Sequence, residues 1–333
     1  MNFSLTEEHI MIRDAARGFA QTELLPGVIE RDNKQEFPKE LVKKMGDLGF
    51  MGIMVDPKYG GSGMDAISYV LIMEELSKID ASASVIVSVN NSLVCYGLES
   101  YGSETQKQKY LTKLATGEFV GAFCLSEPEA GSDATSQATT AEDKGDHYLI
   151  NGTKNWITSG GRADVYLVIA QTDREKGHKG INAFIVEKGA EGFHVGPKED
   201  KLGIRGSDTH TLQFNDVKVP KENRIGEDGF GFKFAMKTLS GGRIGIAAQA
   251  LGIAAGAYEL ALKYSKERKA FGTEICNHQA IAFKLADMHT EIEAARMLVM
   301  KAAWDKDQGN NYDMSSAMAK LYASKVAMEH TVE

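Results

Sequence analysis

The 333-residue sequence is poor in cysteine, and its three cysteines form no motif. Cys95, Cys124 and Cys276 are odd in number and far apart, with no CxxC pair. Disulfide frameworks and structural zinc sites use paired cysteines, so this pattern predicts reduced, mostly buried thiols in a cytoplasmic protein. The eight histidines are scattered without an HExxH spacing, and we expect no metal.

Positive charge and membrane-targeting segments are also scarce. Lys and Arg number 38 against 46 Asp and Glu, which gives a formal net charge of −8. No basic run offsets this charge, so a nucleic-acid partner is not expected. The first residues, MNFSLTEEHI, lack the basic start and apolar stretch of a signal peptide, and no apolar run looks long enough to span a bilayer. We therefore expect no membrane span.

Three zones of different composition follow one another along the chain. Residues 1–118 carry helical patterns, 119–232 carry short β-branched and aromatic runs, and 233–333 are helical again. No crossover helices separate the runs of the middle zone, which disfavours a parallel Rossmann sheet and favours a small barrel or sandwich. We expect an α+β multidomain fold: an N-terminal helical domain, a central β-barrel or sandwich, and a C-terminal helical bundle.

Capping residues predict where two helices of the first zone begin. Ser4 with Glu7, and Ser103 with Gln106, have the spacing of a capping box, in which the two side chains bond each other's backbone N–H groups. Both pairs precede segments with helical character. We therefore place helix starts directly after Ser4 and Ser103.

Turn residues predict two connections in the middle zone. Asn151-Gly152 lies between two apolar runs and is the strongest short hairpin signal in the sequence. The segment GEDGFGF, residues 226–232, is rich in glycine but follows no strand–helix arrangement. We interpret it as a linker turn and not as a nucleotide-binding fingerprint.

The last helix of the sequence has no C-terminal cap. It begins near Asp313 and runs to Glu333 without a glycine, a proline or a basic last turn. Helices usually end with such residues. This ending predicts that the C-terminal bundle is truncated.

The segment LSEPEAGSDA, residues 125–134, directly follows an apolar run typical of a buried strand. Its acidic side chains would repel an anion, whereas Gly131 followed by Ser132 is typical of a backbone that donates N–H groups to a phosphate. A solvated turn that closes the strand is the alternative. We interpret Glu127 and Asp133 as residues that brace the turn, not as catalytic groups.

Six motifs in register give the whole chain a resemblance to the acyl-CoA dehydrogenase family, with the short-chain, butyryl-CoA type the most similar. The motifs are YGGSGMD (59–65), CLSEPEAGSDA (124–134), NGTKNWITSGG (151–161), LGIRGSDTHTLQFNDVKVPKEN (202–223), GGRIGIAAQALG (241–252), and ERKAFG with the HQA that follows it (267–280). One departure is Glu129, where many members have glycine. We expect its carboxylate to point to solvent.

The resemblance implies that the 125–134 loop and the neighbouring strand bind FAD. The positions that match the family's flavin and phosphate contacts are Phe123, Leu125, Ser126, Gly131, Ser132, Trp156, Ile157 and Thr158. In the family, the indole at Trp156 covers the flavin and the hydroxyl at Thr158 donates towards N5, the atom that accepts hydride. A core aromatic in the β domain is the alternative for Trp156.

The resemblance also implies an oligomer. Arg268 and Gln279 match residues that reach the FAD bound mainly to a neighbouring subunit, and Phe271 packs nearby. An arginine suits a diphosphate because its planar fork donates two parallel hydrogen bonds. A solvated cation at a helix end is the alternative for Arg268. The family usually forms homotetramers, a dimer of dimers.

The start of the C-terminal bundle matches the family's acyl-CoA site. Ser240, Gly241, Gly242 and Arg243 lie beside the acyl chain and CoA in the family, and Ser132 borders the thioester. The small residues leave room for the substrate, and Arg243 can face CoA. A structural ion pair is the alternative for Arg243.

The implied reaction is FAD-dependent α,β-dehydrogenation of a short-chain acyl-CoA to trans-2-enoyl-CoA, with electrons passed to electron-transferring flavoprotein. An acyl-CoA oxidase and a catalytically inactive flavin- or CoA-binding homologue are the alternatives. Most of the family carries its catalytic glutamate in a Tyr-Glu-Gly-Thr loop, and a minority at the position of Gly242; neither is present here. We therefore assign no catalytic base within the sequence and expect the base to lie C-terminal to Glu333. The 333-residue chain is accordingly expected not to turn over acyl-CoA.

Overall fold

The computed structural model describes residues 4–333, which form two compact units. The first unit comprises residues 4–28, Asp65–Val85 and Arg243–Glu333, and the second comprises Ile29–Met64 and Ile86–Gly242. The first unit is built mainly from helices. The second contains the main sheet together with shorter helices.

Eleven α-helices lie within residues 4–333. In chain order they are α1 (Glu7–Phe19), α2 (Val28–Asn33), α3 (Lys39–Asp47), α4 (Ala66–Ser77), α5 (Ala81–Ser88), α6 (Tyr96–Tyr101), α7 (Glu104–Gln106), α8 (Thr112–Ala115), α9 (Gly231–Glu267), α10 (Gln279–Asp307) and α11 (Asp313–Val332). Three π-helical segments extend or join them: Ala20–Leu24, Val89–Cys95 and Lys107–Leu111. The predicted helical character of the first and third zones is confirmed.

One of the two predicted capping boxes is correct. The Ser103 hydroxyl accepts from the Gln106 N–H at 3.2 Å, and the Gln106 side chain accepts from the Ser103 N–H at 3.0 Å. The box at Ser4 and Glu7 is wrong, because the N-cap of α1 is Thr6, whose hydroxyl accepts from the His9 N–H at 3.2 Å. Thr6 stands directly before the first helical residue, the position from which a hydroxyl reaches the free N–H groups of the first turn.

The strands of the middle zone form a mixed sheet. They are β1 (Gly121–Cys124), β2 (Thr140–Asp143), β3 (His147–Thr158), β4 (Val165–Gln171), β5 (Ile181–Glu187), β6 (Phe193–Lys198), β7 (Thr209–Pro220) and β8 (Arg224–Ile225). The order is β6-β7-β3-β2-β4-β5-β8, and β1 pairs with β4. Both β1 and β2 run parallel to β4, and the other neighbours are antiparallel.

The prediction that this domain forms a closed barrel, one of the two forms expected, is therefore wrong. The terminal strands β6 and β8 share no ladder in the described part of the chain, so the sheet does not close. The sheet is mixed and not a parallel Rossmann sheet, as expected, although it contains the two parallel pairs β1–β4 and β2–β4. The chain passes from β1 through the antiparallel pair β2–β3 before it returns as β4, so a parallel neighbour is reached without a crossover helix.

The predicted hairpin turn at Asn151-Gly152 is also wrong. Both residues lie inside β3, which continues to Thr158. The turn between β2 and β3 is at Lys144, where the N–H donates to the His147 carbonyl at 2.9 Å. Gly152 has φ +149°, and a Cβ there would lie 2.5 Å from Thr139 Oγ1, so the glycine permits close packing and an extended conformation that other residues avoid.

Two helical segments are long and apolar. Residues 81–101 and 231–267 pass the length and hydropathy test for a membrane span, which corrects the expectation that no run is long enough. Of their most apolar stretches, 78% and 61% of the residues are buried inside the protein. Buried core helices have this composition.

The cysteines are buried or half-buried thiols, as predicted. Cys95 and Cys124 are buried, and Cys276 is half-buried. Burial raises the pKa of Cys124 to about 12 and also raises the pKa of Cys95. Both thiols therefore stay protonated and unreactive at neutral pH.

Candidate functional site

The candidate site begins where β1 leaves the sheet. β1 is buried along its length, and the Phe123 ring stacks on Phe234 with ring centroids 6.3 Å apart. The next residues, Leu125 and Ser126, are half-buried. The apolar β1 therefore carries the loop out of the core at a fixed position.

The loop that follows is braced by its own acidic residues, as predicted. Glu127 and Ala130 exchange two backbone hydrogen bonds, which leave Pro128 and Glu129 exposed at the tip. The Asp133 carboxylate accepts hydrogen bonds from the hydroxyls of Thr135 and Ser136 at 2.7 and 2.5 Å, respectively. Glu129 points to solvent as expected.

Gly131 and Ser132 lie on the exposed part of this loop. A Cβ at Gly131 would meet no atom within 4 Å. The Ser132 hydroxyl makes no hydrogen bond within residues 4–333. Both residues are thus accessible to a ligand.

A buried ion pair joins the loop to β3. Lys154 Nζ lies 2.7 Å from Glu127 Oε1, and both side chains are almost completely buried. The ammonium also donates to the Leu125 carbonyl at 3.0 Å and to Gln137 Oε1 at 3.3 Å. Glu127 accepts further hydrogen bonds from the N–H groups of Ala138 and Thr139. All three ammonium donors therefore have acceptors.

The two members of this pair have shifted pKa values. Burial lowers the pKa of Lys154. Burial alone would raise the pKa of Glu127, but the charge and hydrogen bond of Lys154, together with the N–H groups of Thr139 and Ala138, lower it overall. Glu127 is therefore ionised at neutral pH.

Glu127 should make the protein sensitive to acid. Because its pKa is lowered in the folded state, it stabilises the fold above its ordinary pKa of about 4.3, and this contribution is lost as the pH falls through the lower folded value. Urea unfolding of wild type and Glu127→Gln across the acid range isolates the effect. The free energy of unfolding of the wild type should exceed that of Glu127→Gln near neutral pH, and this difference should shrink as the pH falls below about 4. A difference that does not change with pH would contradict the assignment.

The next part of β3 contains a bulge that exposes Trp156. The pairing with β7 shifts register between Lys154 and Ile157. Trp156 adopts φ +61° and is 64% exposed, whereas Ile157 is buried. Trp156 is therefore not a core aromatic, and its indole is presented at the surface of the unit.

Two residues of the site have donors without partners. Within residues 4–333, neither the N–H nor the hydroxyl of Ser126 makes a hydrogen bond, and the same holds for the Thr158 hydroxyl. Ser126 and Thr158 are half-buried, where unpaired donors carry a cost. Such donors fit a flat ligand with several acceptor atoms, as an isoalloxazine ring has.

Asp208, which the sequence analysis did not single out, holds the backbone beside Thr158. Its carbonyl accepts from the Ser159 N–H at 2.5 Å, and its carboxylate accepts from the Gly161 N–H at 2.7 Å. The same carboxylate lies 2.9 Å from His210 Nε2. Asp208 and His210 line a cavity of about 780 Å³ together with residues 33–37 and 161–162.

The predicted substrate residues lie inside α9, which begins at Gly231, and not at the start of the helix as expected. Ser240, Gly241 and Gly242 are buried, and Arg243 is exposed. A Cβ at Gly242 would lie 2.8 Å from Leu93 Cδ2. A longer side chain at position 242 would require the end of the Leu93 side chain to shift.

Arg268, Phe271 and Gln279 belong to the first unit. A two-stranded hairpin, β9 (Lys269–Ala270) and β10 (Thr273–Glu274), follows Arg268, and Phe271 lies in its turn with φ +53°. Phe271 is 97% exposed, and Arg268 and Gln279 are also exposed. The hairpin thus presents an arginine and an aromatic ring to solvent.

Lys154 is the main site residue that the sequence analysis missed. A signal for it exists, because Tyr148, Ile150 and Lys154 are alternate positions of β3 and all three are buried. A lysine on the buried face of a strand needs partners, and the acidic 125–134 loop supplies one.

Three family models match successive parts of the chain. The acyl-CoA dehydrogenase N-terminal, middle and C-terminal domain models match residues 6–118, 122–217 and 229–332, respectively. The matches cover most of the chain. They do not bear out the expectation of a truncated C-terminal bundle.

Individual relatives agree with these models. A short-chain specific acyl-CoA dehydrogenase of Clostridium acetobutylicum is 52% identical over 100% of this chain and 88% of its own length. The structure of butyryl-CoA dehydrogenase from Megasphaera elsdenii has a TM-score of 0.98 at 49% identity, covering 100% of this chain and 88% of that chain.

A third relative comes from a structure described as "Electron transferring flavoprotein of Acidaminococcus fermentans: Towards a mechanism of flavin-based electron bifurcation". It has a TM-score of 0.98 at 53% identity and covers 100% of this chain and 87% of that chain.

Proposed function

The chain belongs to the acyl-CoA dehydrogenase family, and on that premise we propose that it oxidises a short-chain acyl-CoA thioester to trans-2-enoyl-CoA. The electrons pass to electron-transferring flavoprotein. The proposal rests on one observation: Ser126 and Thr158 have hydrogen-bond donors without partners, and the Trp156 indole on the same strand as Thr158 is exposed. These groups suit the edge and face of a flavin.

FAD is the cofactor, and it supplies the two-electron acceptor for the hydride that leaves the β-carbon. The residues that would hold it are Phe123, Leu125, Ser126, Gly131, Ser132, Trp156, Ile157 and Thr158, with Arg268, Phe271 and Gln279 contributed by a neighbouring subunit of a homo-oligomer. Ser126 and Thr158 would donate hydrogen bonds to it, and the buried Phe123 and Ile157 keep the backbone in place.

The substrate residues are Ser132, Ser240, Gly241, Gly242 and Arg243. Ser132 borders the thioester, and the small residues of α9 limit the bulk beside the acyl chain. The three composition zones, 1–118, 119–232 and 233–333, serve as the domains that supply these groups.

Removal of the α-proton needs a carboxylate base. Glu127 is bound by Lys154, Ala138 and Thr139, and Asp133 is bound by Thr135 and Ser136. Neither carboxylate is available, so we assign no base among the residues that the structure describes.

The cellular site of the reaction is the cytoplasm, in keeping with the bacterial relatives.

Cofactor content tests the proposal. The purified protein should be yellow and contain about one non-covalent FAD per subunit. Absorbance and extraction of the released flavin measure this ratio. A colourless protein that takes up no added FAD would contradict the assignment.

Arg268 should matter for FAD retention more than for folding. Arg268→Ala is expected to weaken FAD binding by about 2 kcal/mol, because a hydrogen bond from a charged donor is lost. The thermal midpoint of the apoprotein should not change, since Arg268 is exposed.

The matched control for Arg268 is Lys266→Ala, which removes an exposed cation two residues earlier on α9 and should leave FAD affinity unchanged. If Arg268→Ala lowers the stability of the apoprotein as much as it lowers FAD affinity, Arg268 has a structural role instead.

A further inference from the structure

The ion pair of Lys154 and Glu127 joins β3 to the proposed flavin loop, and the proposed function leaves it without a role. Both side chains are almost completely buried. A buried ion pair is often no more stabilising than a well-packed apolar pair, so stability alone does not explain it. The same cluster leaves Gln137 Nε2 and Thr139 Oγ1 buried without partners, which adds to its cost.

Lys154 and its neighbour hold two consecutive carbonyls of the loop. Lys154 Nζ donates to the Leu125 carbonyl at 3.0 Å, and the Asn155 N–H donates to the Ser126 carbonyl at 2.9 Å. Two adjacent residues of β3 thus fix the two peptide planes on either side of Ser126. Rotation of either plane would break a hydrogen bond to β3.

This arrangement determines where the Ser126 N–H points. In a trans peptide the carbonyl and the N–H point in opposite directions, and the described residues contain no cis peptide. With the Leu125 carbonyl turned towards Lys154, the Ser126 N–H is turned away from it. That N–H is one of the partnerless donors of the site.

Glu127 holds the same ammonium group that donates to the Leu125 carbonyl. Its carboxylate is anchored by the N–H groups of Ala138 and Thr139, so the ammonium cannot move away from the loop. On β3, Lys154 is the last paired residue before the bulge that exposes Trp156. The lysine therefore links both parts of the proposed flavin site.

We propose that Lys154 is a positioning residue that, through the Leu125 carbonyl and Glu127, directs the Ser126 N–H and the Trp156 bulge towards the flavin. The inference rests on the proposed function. Lys154 does not contact the reacting atoms and takes no part in proton transfer.

Two variants separate positioning from stability. Lys154→Met removes the ammonium but leaves Glu127 buried and unpaired, so it should also destabilise the fold. The double variant Lys154→Met with Glu127→Gln is neutral and keeps an acceptor for Ala138 and Thr139, but lacks the donor to Leu125. The matched control is Lys301→Met, which breaks the 2.6 Å pair with Asp305 in α10.

The measurements are the thermal midpoint, the FAD dissociation constant from flavin fluorescence, the visible flavin spectrum, and hydrogen–deuterium exchange of peptides that span residues 121–130 and 150–158. The double variant should regain most of the stability lost in Lys154→Met. It should still bind FAD roughly 10- to 100-fold more weakly, with a shifted spectrum and faster exchange of the Asn155 N–H. Lys301→Met should match wild type in the last three measurements.

A neutral double variant with wild-type FAD affinity, spectrum and exchange would overturn the proposal and leave Lys154 a purely structural residue. A wild-type protein that binds no FAD would overturn the proposed function instead. In that case faster exchange of the Asn155 N–H, which donates to the Ser126 carbonyl, would still identify Lys154 as the residue that orients this loop, and unchanged exchange would refute it.

Discussion

Replacing Thr158 by valine should slow flavin reduction by butyryl-CoA roughly 100- to 1000-fold while FAD remains bound, the range found when a single donor to developing charge is removed. Within residues 4–333 the Thr158 hydroxyl makes no hydrogen bond, so it is free to donate to a ligand. Valine has nearly the same shape, and the backbone pairing of Thr158 with Thr209 does not depend on the side chain.

Anaerobic stopped-flow absorbance of the full-length holoprotein measures this rate. Thr153→Val is the matched control, since Thr153 lies on the same strand, is also half-buried, and pairs with Gln213 through the backbone. The control should reduce its flavin at the wild-type rate. Equal rates for wild type and Thr158→Val would show that the hydroxyl does not act on the flavin.

Replacing Gly152 by alanine should lower the free energy of unfolding by about 3 kcal/mol. The cost combines a backbone conformation that alanine avoids, at φ +149°, with overpacking against Thr139, whose Cα would lie 2.7 Å from the new Cβ. Thr139 also donates its N–H to Glu127, so the strain should reach the proposed flavin loop.

Gly145→Ala is the matched control for crowding. Gly145 also has a positive φ, +93°, but a Cβ there would meet no atom within 4 Å. Its substitution should cost only about 1 kcal/mol, which is the backbone contribution alone. Urea unfolding measures both values, and equal losses would show that contact with Thr139 is not important.

Features set by neighbours in sequence were predicted well. The capping box at Ser103 depends on residues three positions apart, and Asp133 accepts from the hydroxyls of Thr135 and Ser136, two and three positions later. The 125–134 loop follows a buried strand, as predicted. Its residues stay a prediction as cofactor contacts, as do the domain boundaries.

Features set by distant residues were predicted poorly. Asn151-Gly152 has the sequence of a hairpin turn, but contact with Thr139 explains the glycine. The parallel pairing of β1 and β2 with β4 cannot be inferred from alternation within each strand. Lys154 was missed for the same reason, because its acceptors lie on a loop about 30 residues earlier in the chain.

Anaerobic titration of the full-length holoprotein with butyryl-CoA tests the proposed dehydrogenation most directly. The flavin absorbance should bleach as trans-2-enoyl-CoA forms, and electron-transferring flavoprotein should restore it faster than dioxygen does. A spectral shift without bleaching would contradict catalysis and indicate a protein that only binds acyl-CoA. Bleaching followed by rapid reoxidation with dioxygen would indicate an oxidase instead.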